Sequence, residues 1–126
     1  MLGDMNVHAV LPVTNLEEAR KFYEEILGLE ELGHNDDAQT IMYRSGDSHL
    51  LVYVSDFAGT NEATVATWET NDVTAIVEIL KNKGVVFEHY DVPGATLEGD
   101  VYRMGPMTTA WFKDPFGNIL NIGNAQ

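Results

Sequence analysis

The sequence has no cysteine among its 126 residues. This excludes disulfides, thiolate nucleophiles and any zinc or iron–sulfur site built on cysteine, so a metal ligand would have to be His, Asp or Glu. Long apolar runs are also missing, because no stretch approaches the roughly 20 residues that cross a bilayer. The N-terminus lacks the basic and apolar regions of a signal peptide. We therefore expect a cytoplasmic protein without a membrane partner.

Positive charge is scarce as well. Seven Lys and Arg stand against twenty Asp and Glu, which gives a formal net charge of -13. Such a chain repels phosphate backbones, so we expect no nucleic-acid partner. Glycine-rich phosphate-binding motifs and the nucleophile elbow of serine hydrolases are absent too. These absences disfavour kinase, dehydrogenase and serine-hydrolase functions.

The first half of the chain predicts the order β-α-β-β-β. A β-rich strand over 6–13 leads into a helix over 16–27, whose apolar residues recur on one helical face. Asn15 is a suitable N-cap for this helix, and Gly28 suits its C-terminal end. Three further β-like stretches follow at 29–34, 39–45 and 49–55.

The second half repeats this plan. A strand over 64–69 is followed by the cap-like Thr70-Asn71-Asp72 and by a helix that starts at Val73 and closes at Gly84. The tract 90–107 is rich in turn residues and is predicted to act as a lid or to be a solvated loop. Strands are predicted at 85–90, 101–104, 107–113 and 118–122.

The repeat predicts an α+β fold. We expect two paired βαβββ modules that form a curved mixed sheet around a concave pocket, with the helices on the convex side. Residues 1–126 would make a single domain, with module one at about 5–57, a linker at about 56–62 and module two at about 63–124.

Two motifs near opposite ends of the chain carry a resemblance. Segment 13–29 ends in the pattern F-Y-x-x-x-L-G-L, and segment 110–120 contains F-K-D-P-F-G-N, in which Phe116 replaces a usual acidic residue. Together they resemble the first helix and the last hairpin of the glyoxalase/bleomycin-resistance/dioxygenase (vicinal oxygen chelate) superfamily. The resemblance covers essentially the whole chain. The motifs themselves specify the fold and carry no chemistry.

The resemblance implies a divalent metal held by His and Glu side chains from the first and last strands of each module. His8 stands at the first of these positions. The other three hold Val65, Asn121 and either Tyr53 or Val52, which are poor ligands or none. Stable sites generally need three or more protein ligands. We therefore expect no cofactor, and His8 would be the metal ligand if a divalent ion bound at all.

Strand alternation predicts which side chains face the pocket, and the lid tract adds aromatic and thioether groups. By the same alternation, Trp68 should lie under the second helix. The predicted ligand pocket comprises His8, Val10, Tyr53, Val65, Thr67, Glu69, Tyr90, Met104, Met107, Trp111 and Asn121.

Three functions stay open on these grounds. The leading hypothesis is a homodimeric, metal-independent protein that binds and sequesters an apolar or aromatic small molecule, cationic compounds included. The alternative is a divalent-metal-dependent lyase, isomerase or dioxygenase, with His8 and Glu69 as the candidate catalytic residues. A different ligand set of His34, His49 and His89 with Glu69 is conceivable but unsupported. The third is a dimerisation module without an accessible cavity.

Overall fold

The computed structural model describes residues 1–124. The chain divides into two compact units, and the boundary between Thr60 and Asn61 falls in the predicted linker. That both modules form one domain stays a prediction. Within the described residues, none of the helices combines the length and the apolar character needed to cross a membrane.

The first unit has the predicted β-α-β-β-β order. Its four strands form a mixed sheet in the order β1-β4-β3-β2, in which β1 and β4 are parallel and the other pairs antiparallel. A single 3-10 turn, Leu2–Asp4, precedes them. The elements are β1 (Ala9–Val13), helix α1 (Leu16–Arg20) with a π-helical continuation (Lys21–Ile26), β2 (Glu30–Asn35), β3 (Thr40–Ser45) and β4 (Ser48–Val54).

The first helix begins and ends where its capping residues predict. The Oδ1 of Asn15 accepts a hydrogen bond from the backbone N–H of Glu18 at 2.9 Å, and Gly28 adopts a φ of +79° beyond the last turn. The π-helical part shows in the Leu27 N–H, which donates to the carbonyl of Phe22, five residues back, at 2.9 Å. The apolar spacing predicts a helix here but does not distinguish α from π geometry.

One face of the first sheet forms a core with this helix. Leu11, Val52 and Tyr43 are buried, and the ring of Tyr23 lies 6.2 Å from that of Tyr43. The opposite face is partly open, since Val10 keeps half of its surface exposed. The period-2 alternation of β1 therefore separates a core face from an accessible face.

The second unit has the same order of strand, helix and strands, but it contains six strands instead of four. Its sheet runs in the order β5-β10-β9-β8-β7, with β5 and β10 parallel, and the short β6 pairs with β9. The Oδ1 of Asp72 caps its helix by accepting from the Ala75 N–H at 3.0 Å. The elements are β5 (Thr64–Glu69), α2 (Val73–Asn82), β6 (Phe87–Glu88), β7 (Thr96–Glu98), β8 (Val101–Met104), β9 (Met107–Lys113) and β10 (Ile119–Gly123).

The α+β class and the βαβββ plan are confirmed, and the predicted curved sheet takes the form of two mixed sheets, one in each module. Part of the predicted lid is a hairpin, in which β7 and β8 are joined by Gly99 and Asp100. All three residues of β7 are exposed. An edge strand without a buried face has no apolar alternation by which it can be predicted.

The hairpin turn between β9 and β10 is held by one buried carboxylate. The Oδ1 of Asp114 accepts from the backbone N–H groups of Phe116 and Asn118 at 2.9 and 2.8 Å. Its Oδ2 accepts from the Nδ2 of Asn118 at 2.7 Å. Gly117 completes the turn with a φ of +90°. The D-P-F-G-N motif thus stabilises the turn through hydrogen bonds. Phe116, which replaces the usual acidic residue, contributes its backbone N–H.

Replacing Asp114 by Ala should destabilise the second module, because it leaves two backbone N–H groups and a buried amide without their acceptor. We expect the free energy of unfolding to fall by about 2–3 kcal/mol. Urea denaturation followed by tryptophan fluorescence measures this directly, because both tryptophans, Trp68 and Trp111, lie in this unit. Asp91→Ala, in an exposed loop, is the control and should change stability by less than about 0.5 kcal/mol. Equal effects of the two substitutions would contradict this role.

Candidate functional site

A cavity of about 420 Å³ lies in the second unit. It is on the face of the sheet formed by the odd-numbered residues of β9 and β10, whereas Phe112 and Leu120 on the other face are buried in the core. Within residues 1–124, its wall combines apolar, thioether and aromatic side chains with neutral polar groups and one carboxylate. The lining residues are Thr64, Thr67, Glu69, Val92, Met104, Met107, Thr108, Thr109, Trp111, Asn121, Gly123 and Asn124.

Strand register arranges the floor of the cavity in rows. Asn121 of β10 stands between Thr67 of β5 and Trp111 of β9. The next row holds Glu69, Gly123 and Thr109 in the same strand order. Residues paired across neighbouring strands point to the same side of a sheet, so each row presents its side chains together.

Asn121 is the buried polar centre of this floor. Its Oδ1 accepts from the hydroxyl of Thr67 at 2.6 Å, and its Nδ2 donates to the Oγ1 of Thr109 at 2.6 Å and to the carbonyl of Ala110 at 3.1 Å. The amide is 8% exposed. A buried amide with these partners fixes the positions of both threonine side chains.

Trp111 forms an aromatic wall whose orientation is fixed from two sides. Its indole N–H donates to the Oγ1 of Thr64 at 3.1 Å. The rings of Tyr90 and Tyr102 meet it edge-to-face at 5.8 and 5.2 Å between centroids. The hydroxyl of Tyr102 in turn donates to the carbonyl of Tyr90 at 2.7 Å. The indole is therefore placed before any ligand arrives.

A β-bulge decides which residue of β5 reaches the cavity. Ile119 pairs with Thr64, but the next residue, Leu120, pairs with Ala66, so Val65 is the extra residue. Strict alternation from Thr67 places Val65 on the pocket side. The bulge puts Thr64 there instead, and Val65 is not among the lining residues.

The β7–β8 turn is tied to the helix and to the chain beyond β6. The carboxylate of Asp100 lies 2.9 Å from the Nζ of Lys81 and 2.8 Å from the Nε2 of His89. Hydrogen bonds from Lys81 and, to a smaller extent, from His89 hold the pKa of Asp100 below its usual value. Burial raises the pKa of Tyr90, which follows His89. These contacts hold in place the segment that contains the lining residue Val92.

The structure brings six of the predicted pocket residues together in this cavity: Thr67, Glu69, Met104, Met107, Trp111 and Asn121. Tyr90 contacts the Trp111 ring but is not itself among the lining residues. Thr109 was missed, although alternation between Met107 and Trp111 points to it. Val92 and Asn124 lie outside regular strands, where alternation carries no information.

The predicted residues of the first unit lie on or beside the accessible face of its own sheet. Pro12 pairs with Tyr53 in register, and Tyr53 is 36% exposed. Val10 is on the same side of β1. The ring of His8 stacks on that of His49, with 4.9 Å between centroids and 29° between planes.

The side chains do not fit a divalent metal of the kind that the resemblance implies. Within residues 1–124, no group of three His, Asp or Glu side chains is placed to hold an ion. The Asn121 amide is already hydrogen-bonded on both its oxygen and its nitrogen. Of the alternative histidines, His89 binds Asp100, and His34 lies 3.6 Å from the carboxylate of Glu31.

Comparisons with known proteins point to one family. Residues 7–122 match the family model of the Glyoxalase/Bleomycin resistance protein/Dioxygenase superfamily. A lactoylglutathione lyase from Agrobacterium tumefaciens is 16% identical, with a TM-score of 0.72 over 95% of this chain and 92% of that one. An antibiotic binding protein from a Streptomyces species is 20% identical, with a TM-score of 0.66 over 94% and 93%. The fosfomycin resistance protein of Listeria monocytogenes is 17% identical, with a TM-score of 0.67 over 96% and 90%. At these identities the structures show a shared fold.

Replacing Asn121 by Asp should make stability depend on pH. Burial beside the Ala110 carbonyl would raise the pKa of the introduced carboxyl above its value in the unfolded chain, so stability is lost as pH rises. Relative to wild type, we expect a loss of about 1 kcal/mol at pH 5 and about 3 kcal/mol at pH 8. Urea unfolding at both pH values measures the difference.

The matched control is Asn71→Asp, which makes the same change at an exposed position. Its effect should be small at both pH values. If Asn121→Asp lost no more stability at pH 8 than at pH 5, the buried hydrogen-bond network around Asn121 would be contradicted.

Proposed function

We infer that this chain, which belongs to the Glyoxalase/Bleomycin resistance protein/Dioxygenase superfamily, binds and sequesters an apolar or aromatic small molecule in the cavity of its second module. The observation that carries the proposal is the cavity itself, at about 420 Å³. Ligand pockets for small molecules commonly occupy about 300–1,000 Å³. An antibiotic-binding protein with the same fold supports this function over a purely structural role.

The chemistry of the lining supports an apolar or aromatic ligand. Trp111 offers a flat surface for stacking, and the thioethers of Met104 and Met107 adapt to irregular shapes. The polar groups of the lining are threonine hydroxyls, asparagine amides and one carboxylate, and the Asn121 network fixes the position of Thr67. Such a wall favours apolar surface and uses a small number of hydrogen bonds to orient it.

Metal-independent binding is the second part of the proposal. It rests on the donor set, since a conventional site requires carboxylate or imidazole groups where this chain has Val65 and Asn121. The enzymatic alternative would rely on His8 and Glu69. His8 stacks on His49 in the first unit, and Glu69 lines the cavity of the second.

We propose further that the protein is a homodimer and that it is located in the cytoplasm. Dimerisation is supported by the resemblance to the superfamily, and a reducing compartment by a sequence without cysteine. Nucleic acid is disfavoured as a partner because of the net charge of -13.

Filling the cavity should abolish ligand binding. A Cβ at Gly123 would meet its nearest neighbours at 3.6–3.7 Å, which is ordinary van der Waals contact, so Gly123→Val should fold while its methyl groups enter the cavity. We expect 1-naphthalenemethanol to shift the Trp111 indole N–H resonance of ¹⁵N-labelled wild type and to leave the Trp68 resonance in place. The variant should lose at least tenfold in affinity. Trp111→Phe assigns the two resonances.

The control is Gly33→Val, the same substitution at a strand glycine in the first unit, where a Cβ meets nothing within 4 Å. It should bind the probe with unchanged affinity. Two results would refute the cavity as the binding site: equal affinity of Gly123→Val and wild type, or a response confined to Trp68.

Metal removal should leave binding intact. We expect protein purified without added metal to hold less than about 0.1 divalent ion per chain by mass spectrometry, because too few ligands converge. Treatment with EDTA should not change its affinity for 1-naphthalenemethanol. About one ion per chain, released by His8→Ala, would instead favour the metal-dependent alternative.

A further inference from the structure

Among residues 1–124, the cavity of the second module is lined by a single ionisable side chain. In this part of the chain Glu69, at the end of β5, is the one acidic residue of the lining, and the lining contains no Lys, Arg or His. The other polar groups of the wall are the hydroxyls of threonines and the amides of asparagines. This part of the lining therefore carries one acidic group and no basic one.

The carboxylate of Glu69 has no partner within residues 1–124. None of the hydrogen bonds and ion pairs of this part of the chain includes it. Three cationic side chains of the second unit are engaged with other carboxylates: Lys113 with Glu88, Arg103 with Glu98 and Lys81 with Asp100. A carboxylate that faces a cavity without a cation of its own favours a positively charged ligand group.

Space is available in front of this carboxylate. Glu69 pairs with Gly123 across β5 and β10, and Gly123 pairs with Thr109 of β9. Because Gly123 has no side chain, nothing from the central strand fills the row between Glu69 and Thr109. The missing side chain at Gly123 therefore leaves open space beside the carboxylate of Glu69.

The spacing between the carboxylate and the aromatic wall suits one small molecule. Trp111 lies two strands and one row away from Glu69, which corresponds to about 12 Å between their Cα atoms. Both side chains extend into the cavity, so a ligand of one or two rings bearing a cationic group can contact both at once. The indole attracts cations as well as aromatic rings.

We propose that Glu69 makes this cavity selective for aromatic compounds that carry a positive charge, such as organic ammonium ions. The inference rests on the proposed function, because it names the class of ligand for the same cavity. Anionic analogues are repelled by Glu69 at short range and by the net charge of -13 at long range.

Three probes of similar shape test the selectivity: 1-naphthylmethylammonium, neutral 1-naphthalenemethanol and anionic 1-naphthylacetate. Isothermal titration calorimetry measures each against wild type, Glu69→Gln and Glu62→Gln at low and moderate salt. Glu62 is the control because it is exposed, has the same charge and lies outside the cavity lining. Wild type should bind the ammonium ion at least tenfold more tightly than the alcohol, and the anion most weakly.

Glu69→Gln should lower the affinity for the ammonium ion about tenfold and change that for the alcohol less than twofold. Glu62→Gln should leave the preference unchanged. Equal binding of cation and alcohol by wild type, or an equal loss in both glutamate variants, overturns the charge selectivity while the cavity remains the binding site. Failure of all three probes to bind overturns the proposed function itself, and the selectivity with it.

Discussion

In the second module, the parallel pairing of β10 with β5 determines both the core and the cavity. Two parallel neighbours in one sheet require a crossover, and α2 supplies it. The helix buries Val73, Val77 and Leu80, so one face of the sheet is its core face and the other can be left open. Because side chains alternate along the strands, the same register that places Leu120 in the core places Asn121 on the cavity floor.

The open face is kept in shape by polar contacts rather than by packing alone. Asn121 joins three neighbouring strands through its amide, and the Trp111 indole is hydrogen-bonded to Thr64. The hydrogen bonds of the buried Asn121 amide are costly to break, which holds the neighbouring side chains in place. Glu69 is the exception: it is exposed at the end of its strand, and within residues 1–124 its carboxylate has no partner. The aromatic ring of Trp111 and the carboxylate of Glu69 in one cavity favour a ligand that combines a ring with a cationic group.

Much of this architecture could be predicted from local signals. Asn15 and Gly28 mark the limits of the first helix, and the repeat of strand, cap and helix at Asp72 reveals the second module. Alternation in β9 and β10 also places Trp111 and Asn121 on one side. What escaped prediction depends on tertiary context. The bulge that places Thr64 instead of Val65 on the cavity side arises from the pairing of β5 with β10. Strand β7 forms only because β8 lies beside it.

Intermolecular nuclear Overhauser effects can show whether a ligand occupies the cavity of the second module. The chain has five methionines, and only Met104 and Met107 line the cavity. With methyl-labelled methionine and bound 1-naphthylmethylammonium, effects should connect the naphthyl protons to the ε-methyl groups of these two residues. Effects to Met42, on a strand of the first sheet, with none to Met104 or Met107, would show that the ligand binds outside this cavity.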